Sequence, residues 1–508
     1  MRFFVLLLLF CLPLSQCLPA RFYVAPTGLD TNPGTFEQPF ATITKAVALS
    51  TSVLRPGDTI YVRGGQYICT ATISISKSGT DSLRYQLLAY PGERPLLDFS
   101  SMSRDSKSRG MSLSGRYWHV SGLDIKFAAD NGMYIQGSNN IIEYCSFSEN
   151  MDTGLQLDNG ASNNRIINCD SYYNVDITQG DADGFAPKLG VGTGNYFYGC
   201  RAWQNSDDGW DGYMRTANDV STTLENCWCF KNGYLKNSSP STGNGNGYKM
   251  GGSDTKVLIH NFLLIRCLAF DNRVKGFDQN NNRGSMTLYN CTGYRNGTNY
   301  QIADTLAYSK GKVLTVKNCV ALGTYGTLRS GSIQQTNSWM SPFSTVTAAD
   351  FLSIDTLGMR GPRKPDGSLP DVRFLFPAPG SQLIDAGTDL GMPFNGKAPD
   401  LGAFETGGST TEILQENSTP PPSALLLQCY PNPFNSSTTI SFTVPQTSYV
   451  SLTIFNSLGQ VIAQLVDEEK GAGEYLIHWD AGSIASGVYF SRLSADGHTA
   501  TKKMILMR

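Results

Sequence analysis

The chain has 508 residues, enough for two or three domains, although a repeat fold can absorb that length as one unit. With 40% apolar and 11% aromatic residues it is too rich in core-forming side chains to be disordered. A formal net charge of −2 excludes a global electrostatic draw toward nucleic acid or an anionic membrane, so a charged partner must be met by a local patch. Residues 1–20 read as a secretory signal: Arg2, the apolar run FFVLLLLF, then LPA ending at Ala20. A lipid anchor on Cys17 is the weaker alternative, because Gln16 suits such a cysteine poorly. No later segment has the roughly 18 unbroken apolar residues of a membrane span. The chain is therefore expected to be secreted, or attached to a cell surface, without membrane insertion.

Next in order, FATITKAVALSTSVL (40–54) has helical spacing and is expected to cap the open end of a strand-rich array, with PGDTIYVRGGQY (56–67) as the first strand and turn. From residue 144 seven cysteines recur in similar settings, at intervals of 24 to 40 residues: YCSFSEN, NCDSYYN, GCRAWQN, NCWCFKN, RCLAFDN, NCTGYRN and NCVALGT. In the first six an Asn follows five positions later: Asn150, Asn174, Asn205, Asn232, Asn272 and Asn296. Self-similarity at this period means a solenoid. Short alternating runs such as NRIINCDSY, with no helical pattern between them, make each unit one coil of a parallel β-helix. Stacked coils turn the cysteines into a buried thiol ladder and the asparagines into a hydrogen-bonded ladder at a turn, where Asn tolerates unusual backbone angles. The coils are expected to run to about residue 325 and residues 330–408 to wrap or cap the far end. The β-helix unit thus spans 21–408, and TPPPS marks a linker over 409–425. Residues 426–508 hold short strands such as TTISFTV, YVSLTIF and GVYFSRL, which predict a small Ig-like β-sandwich.

A second register appears downstream of each Asn, where a Gly precedes a large apolar residue: TGLQLDN, DGFAPKL, DGWDGYM, NGYKMGG and KGFDQNN. Aligned on that Gly, Leu155, Phe185, Trp210, Tyr248 and Phe277 point inward, and Gln156, Ala186, Asp211, Lys249 and Asp278 point outward. Asp183 and Asp208 then stack on neighbouring rungs, flanked by Asp207 and Asp211. An acidic surface turn would explain Asp207 and Asp208 but not their coincidence with Asp183. Four converging carboxylates suit a hard cation with oxygen ligands, Ca²⁺ above all. Lys249, in the column of Asp211, reads either as a salt bridge to it or as a base beside a metal-bound substrate. Lys188, Lys275 and Arg283 add a basic strip that suits a polyanionic sugar chain lying along the groove.

The stretch from about 140 to 325, with DADGFAPKL, SDDGWDGY and GNGYKMGG, resembles the family 9 polysaccharide lyases, pectate lyases with a right-handed parallel β-helix. The resemblance implies Ca²⁺ bound by Asp183, Asp207, Asp208 and Asp211, with Lys249 as Brønsted base. It also implies β-elimination on a pectin-type polyuronate held by Lys188, Lys275, Asp278 and Arg283. YPNPFN and SGVYF resemble C-terminal secretion or sorting domains of exported bacterial enzymes, and the protein is expected to act as a monomer. A lysine titrating near 10.4 must be neutral to take a proton. One Ca²⁺ among four aspartates leaves a formal −2, which raises that value, so an alkaline optimum above about pH 8 is expected. Three rivals stand beside this reading: a lyase of another uronate polymer (alginate or a glycosaminoglycan), a polygalacturonase-type hydrolase using Asp207 and Asp208, and a Ca²⁺-dependent carbohydrate-binding β-helix. None of His119, His260, His478 and His498 is expected near the cluster.

Overall fold

The computed structural model describes residues 19–407, except 105–106 and 304–308, together with the strands and most of the turns between 427 and 506. The signal segment before residue 19 and the TPPPS linker lie outside the described residues. The chain divides into two compact units, with the break at Thr411 and Glu412.

In the first unit three parallel sheets of twelve, ten and ten strands wind together, each coil contributing one short strand to each sheet in turn. One coil is Arg165–Ile167 in the first sheet, Asp170–Tyr172 in the second and Phe185–Pro187 in the third. Pairing is in register from coil to coil, as in Phe185 with Trp210 and Trp210 with Tyr248. The coils begin earlier than PGDTIYV: Arg21–Val24 is already a first-sheet strand, pairing Arg21 with Thr59. They also end later, at Gly326–Leu328 and Ile333–Gln335. The predicted cap helix covers only Ile43–Ala48, where Thr42 Oγ1 accepts the Lys45 N–H at 3.0 Å and Ile43, Ala46 and Val47 are buried.

The inside of each coil is balanced by volume. Phe185, Trp210, Tyr248, Phe277 and Tyr300 form a stacked column on the third sheet, with ring centroids 4.8 to 5.2 Å apart. The inward positions of the second-sheet strands in the same coils are small: Ser171, Ala202, Cys229, Ala269 and Gly293. All nine described cysteines are free; the seven repeat cysteines form the buried ladder, with thiols directed at carbonyls of the preceding coil, as from Cys200 to Ile166 O at 3.4 Å. The asparagine ladder is continuous, Asn150 to Asn174, Asn205, Asn232, Asn272 and Asn296, through amide hydrogen bonds of 2.8 to 2.9 Å. The left-handed backbone falls one residue earlier than expected: Glu149, Tyr173, Gln204, Lys231, Asp271 and Arg295, just before each ladder Asn, have φ of 49° to 60°. The ladder amides hold these turns against the cost of left-handed non-glycine residues.

Residues 340–404 wrap a side of the solenoid. The outward column of the second sheet, Tyr172, Trp203, Phe230, Phe270 and Tyr294, is aromatic and needs cover; Val346, Phe351, Met359, Phe374, Leu383 and Leu401 supply it. Arg201 and Arg363 clasp Asp170 beneath the wrap at 2.7 and 2.6 Å. The second unit consists of antiparallel sheets of three and four strands around its own core, including Ile440, Phe442, Leu452, Trp479 and Leu493. Its first strand, Leu427–Tyr430, was not anticipated. Among the described residues no helix is long and apolar enough to cross a membrane.

Candidate active site

The third sheet carries the site on its outer face and on the turn leading into each strand. That turn requires glycine. A Cβ on Gly184 would stand 2.7 Å from Gly209 O, and one on Gly209 would stand 2.8 Å from Gly247 O, so neighbouring coils approach too closely for a side chain. The residue before each glycine instead directs its side chain to the next coil. Asp183 Oδ1 accepts the Asp208 N–H at 3.1 Å, and Asp208 Oδ1 accepts the Asn246 N–H at 2.8 Å.

Asp183, Asp207 and Asp208 converge: each offers an oxygen within 4.8 Å of the others, and all three are buried. Asp207 is backed by the Asn244 N–H, and the buried Asn246 Oδ1 has no hydrogen-bond partner. Asp211 stands beside this trio rather than within it, its Oδ1 accepting the Tyr213 N–H at 3.0 Å. Two lysines offset part of the cluster's charge. Lys249 Nζ lies 3.0 Å from Asp208 Oδ2 and 3.4 Å from Asp211 Oδ1; Lys188 Nζ lies 2.7 Å from Asp183 Oδ2 and 3.6 Å from Asp211 Oδ2.

The titration of these groups reflects the crowding. Burial, only partly offset by Lys188 and reinforced by Asp211 and Asp208, pushes Asp183 up to about 8. Burial, then Asp208 and Asp183, pushes Asp207 up to about 10. Burial would raise Asp211 too, but Lys249 and Lys188 hold it below the usual carboxylate range. Burial would lower Lys249, yet Asp208, Asp211, Asp207 and Asp183 outweigh it and hold the ammonium well above the usual lysine range. Carboxylates that must take protons in the absence of a cation, plus an orphaned amide oxygen beside them, form an all-oxygen donor set fitted to a hard divalent ion.

The cluster lies at one side of a polar cleft of about 690 Å³. The sequence placed the basic strip at Lys188, Lys275 and Arg283; Lys188 lines this cleft, and Lys275 and Arg283 do not. Lys275 Nζ pairs with Asp278 Oδ1 at 2.9 Å, one coil beyond Lys249. The cleft's further cations, besides Lys188 and Lys249, are Arg104, Arg109 and Arg215. Arg109 directly precedes Gly110, in register with Gly132 and Gly154, but the Cys and Asn markers that reveal the register begin only at residue 144; Arg104 and Arg215 stand outside it. One histidine is nearer than expected. His260, fully buried, hydrogen-bonds through Nδ1 to Gly212 O at 2.9 Å, just behind Asp211, because coil stacking brings together residues 48 positions apart. Burial lowers its pKa to about 4, so it is neutral there.

A parallel β-helix with a buried acid–lysine cluster at one side of a polar cleft that spans several coils is built to hold an elongated polar ligand against a cation site. Residues 22–322 match the family described as Pel9A-like, right handed beta helix region, and the chain belongs to that family. It is 37% identical over 397 residues to pectate lyase L of Dickeya dadantii (strain 3937), covering 76% of this chain and 90% of that protein. The crystal structure of pectate lyase Pel9A superposes with a TM-score of 0.69 at 37% identity, over 77% of this chain and 97% of that one. A structure named rhamnogalacturonan lyase gives 0.62 at 28% identity, over 70% and 96%. Residues 428–507 match the secretion system C-terminal sorting domain.

Proposed function

We propose that the protein is an exported pectate lyase that cleaves polygalacturonate by β-elimination, with Ca²⁺ among Asp183, Asp207, Asp208 and Asp211 and with Lys249 as the base. Family membership makes the chain a polysaccharide lyase. The observation that carries the finer reading is Lys249 Nζ, 3.0 Å from Asp208 at the cleft floor. A lysine there meets the same uronate that a cation on the aspartates would bind. Ca²⁺ at that position would engage the C6 carboxylate and make the C5 proton more acidic. Neutral Lys249 accepts the C5 proton, the C5–H electron pair forms the C4=C5 double bond, and the C4–O bond breaks, with the departing oxygen protonated by water. Lys188 holds Asp183 and Asp211 in place, whereas Lys275 can meet a neighbouring uronate only by leaving Asp278; Arg283 belongs to the same far side. The sorting-domain match and the signal-like segment 1–20 support export.

Hydrolysis by Asp207 and Asp208 fits less well, because both carboxylates converge with Asp183 in one cluster rather than flanking a bond from opposite sides. The likeness to a rhamnogalacturonan lyase makes that backbone the second substrate to test. The experiment follows the ultraviolet absorbance of unsaturated uronides together with new reducing ends, on polygalacturonate, rhamnogalacturonan and alginate. Absorbance and ends rising together on polygalacturonate is the expected result. Ends without absorbance would mean hydrolysis, and absorbance confined to another polymer would replace the substrate while keeping the chemistry.

A further inference from the structure

The cleft continues well past the acidic cluster toward the N-terminal coils. On the outer face of the third sheet one column runs Lys249, Asp211, Ala186, Gln156, Tyr134, one residue per coil. Tyr134 therefore stands four coils from Lys249, about 19 Å at the interstrand spacing. Its hydroxyl donates to Asp158 Oδ2 at 2.8 Å, which fixes the ring. Asp158 Oδ1 is occupied by the N–H groups of Asn159 and Gly190, at 2.6 and 2.8 Å. Over the Tyr134 ring lies the Arg109 guanidinium, 4.7 Å from the centroid. Its described ion pair is loose, 3.7 Å to Asp130, in contrast with the tight grip of Arg201 and Arg363 on Asp170. Exposed Arg104, five residues before Arg109 in the chain, lines the same cleft. A guanidinium seated over a ring, with a loose partner, is organised to receive a carboxylate in a forked pair.

We propose that Arg109 on Tyr134, with Arg104 beside it, is a distal subsite for a substrate carboxylate, four coils from the scissile bond on the N-terminal side. The inference rests on the acidic-polysaccharide reading above. A 1,4-linked pyranose advances by a distance similar to one coil, so only chains that extend several sugars beyond Lys249 in that direction reach it. The enzyme then favours long chains, and this end of the cleft sets the preference.

The test compares kcat/KM of wild type, Arg109→Ala, Arg109→Lys and Arg104→Ala on trigalacturonate and on polymer, with melting temperatures to report folding. Arg109→Ala is expected to lose about tenfold more on polymer than on the trisaccharide, with the lysine variant between. Equal proportional losses on both, or no loss on polymer, overturn the subsite. If Arg109→Ala does not fold, Arg104→Ala, exposed, carries the same comparison. If the wild type forms no unsaturated product from any polymer, the lyase reading falls separately. Fluorescence titration with polygalacturonate then decides the subsite: severalfold weaker binding by the arginine variants upholds it, and unchanged binding overturns it.

Discussion

Asp208 concentrates the chemistry of the site in one side chain: fully buried, stacked between Asp183 and Asn246, and paired with Lys249. Replacing it with Asn keeps the shape but removes a ligand charge, so calcium affinity should fall by about tenfold or more, which calorimetric titration would measure. The crowding also sets a pH dependence for the calcium-free protein. With Asp183 at about 8 and Asp207 at about 10, the folded state keeps protons that an unfolded carboxylate has released by about pH 4. A folded state that binds more protons loses stability as pH rises across that window. The raised values of Lys188 and Lys249 add stability that is lost only above the ordinary lysine value, outside it. Calcium, bound as proposed, would select the ionised carboxylates. The gap in melting temperature between calcium-loaded and chelated protein should therefore widen from about pH 5 to about pH 9; a gap that narrows would contradict the assignment. At this scale the sequence was legible where a register existed, since the Gly–aromatic step placed Asp183, Asp208, Asp211 and Lys249 on their coils. Arg109 stands directly before Gly110, in the same register, but neither the Cys nor the Asn marker accompanies the strand Met111–Leu113, so the repeat was not legible that far upstream; Arg104 stands outside the register.

Among elements, the turn between the second and third sheets links the repeat to the site. Asn205 donates to Asn232 Oδ1 at 2.9 Å and accepts from Asn174 at 2.8 Å, so Asn205→Ala strands amide groups on both neighbours. A loss of about 2 kcal/mol or more is expected in denaturant unfolding. Gly209→Ala should behave differently, since its Cβ would meet Cys229 Sγ and Gly247 O, forcing Asp208 out of line. Stability and activity should both drop, because the coils must part to admit the methyl group, and a variant with near-normal rates and melting temperature would show that the close approach is not needed. The two longest cysteine intervals, 169 to 200 and 227 to 267, mark coils whose extra residues sit in this turn, and Thr242 Oγ1 ties one long turn to the other through Thr178 O at 2.8 Å. Periodicity made the coils legible, and its irregularities mark the walls of the site. It gave no account of the wrap over residues 340–404, because those contacts join segments far apart with no repeat to align them.

For the whole molecule, each unit has its own core, so the β-helix should keep its lyase activity when residues 409–508 are removed. The activity of purified truncated protein checks this, and its loss would give the C-terminal unit a part in catalysis. The proposed function has one central claim: Lys249 takes the C5 proton of a uronate whose carboxylate calcium would hold. The most direct measurement is the initial rate of unsaturated-product formation against pH, for wild type and Lys249→Ala, with calcium and with chelator. The wild-type rate should climb into the alkaline range as Lys249 loses its proton, and chelation or the substitution should each lower it by at least about a hundredfold. A Lys249→Ala enzyme that keeps a rate close to wild type, or a wild-type rate indifferent to chelator, would contradict the claim.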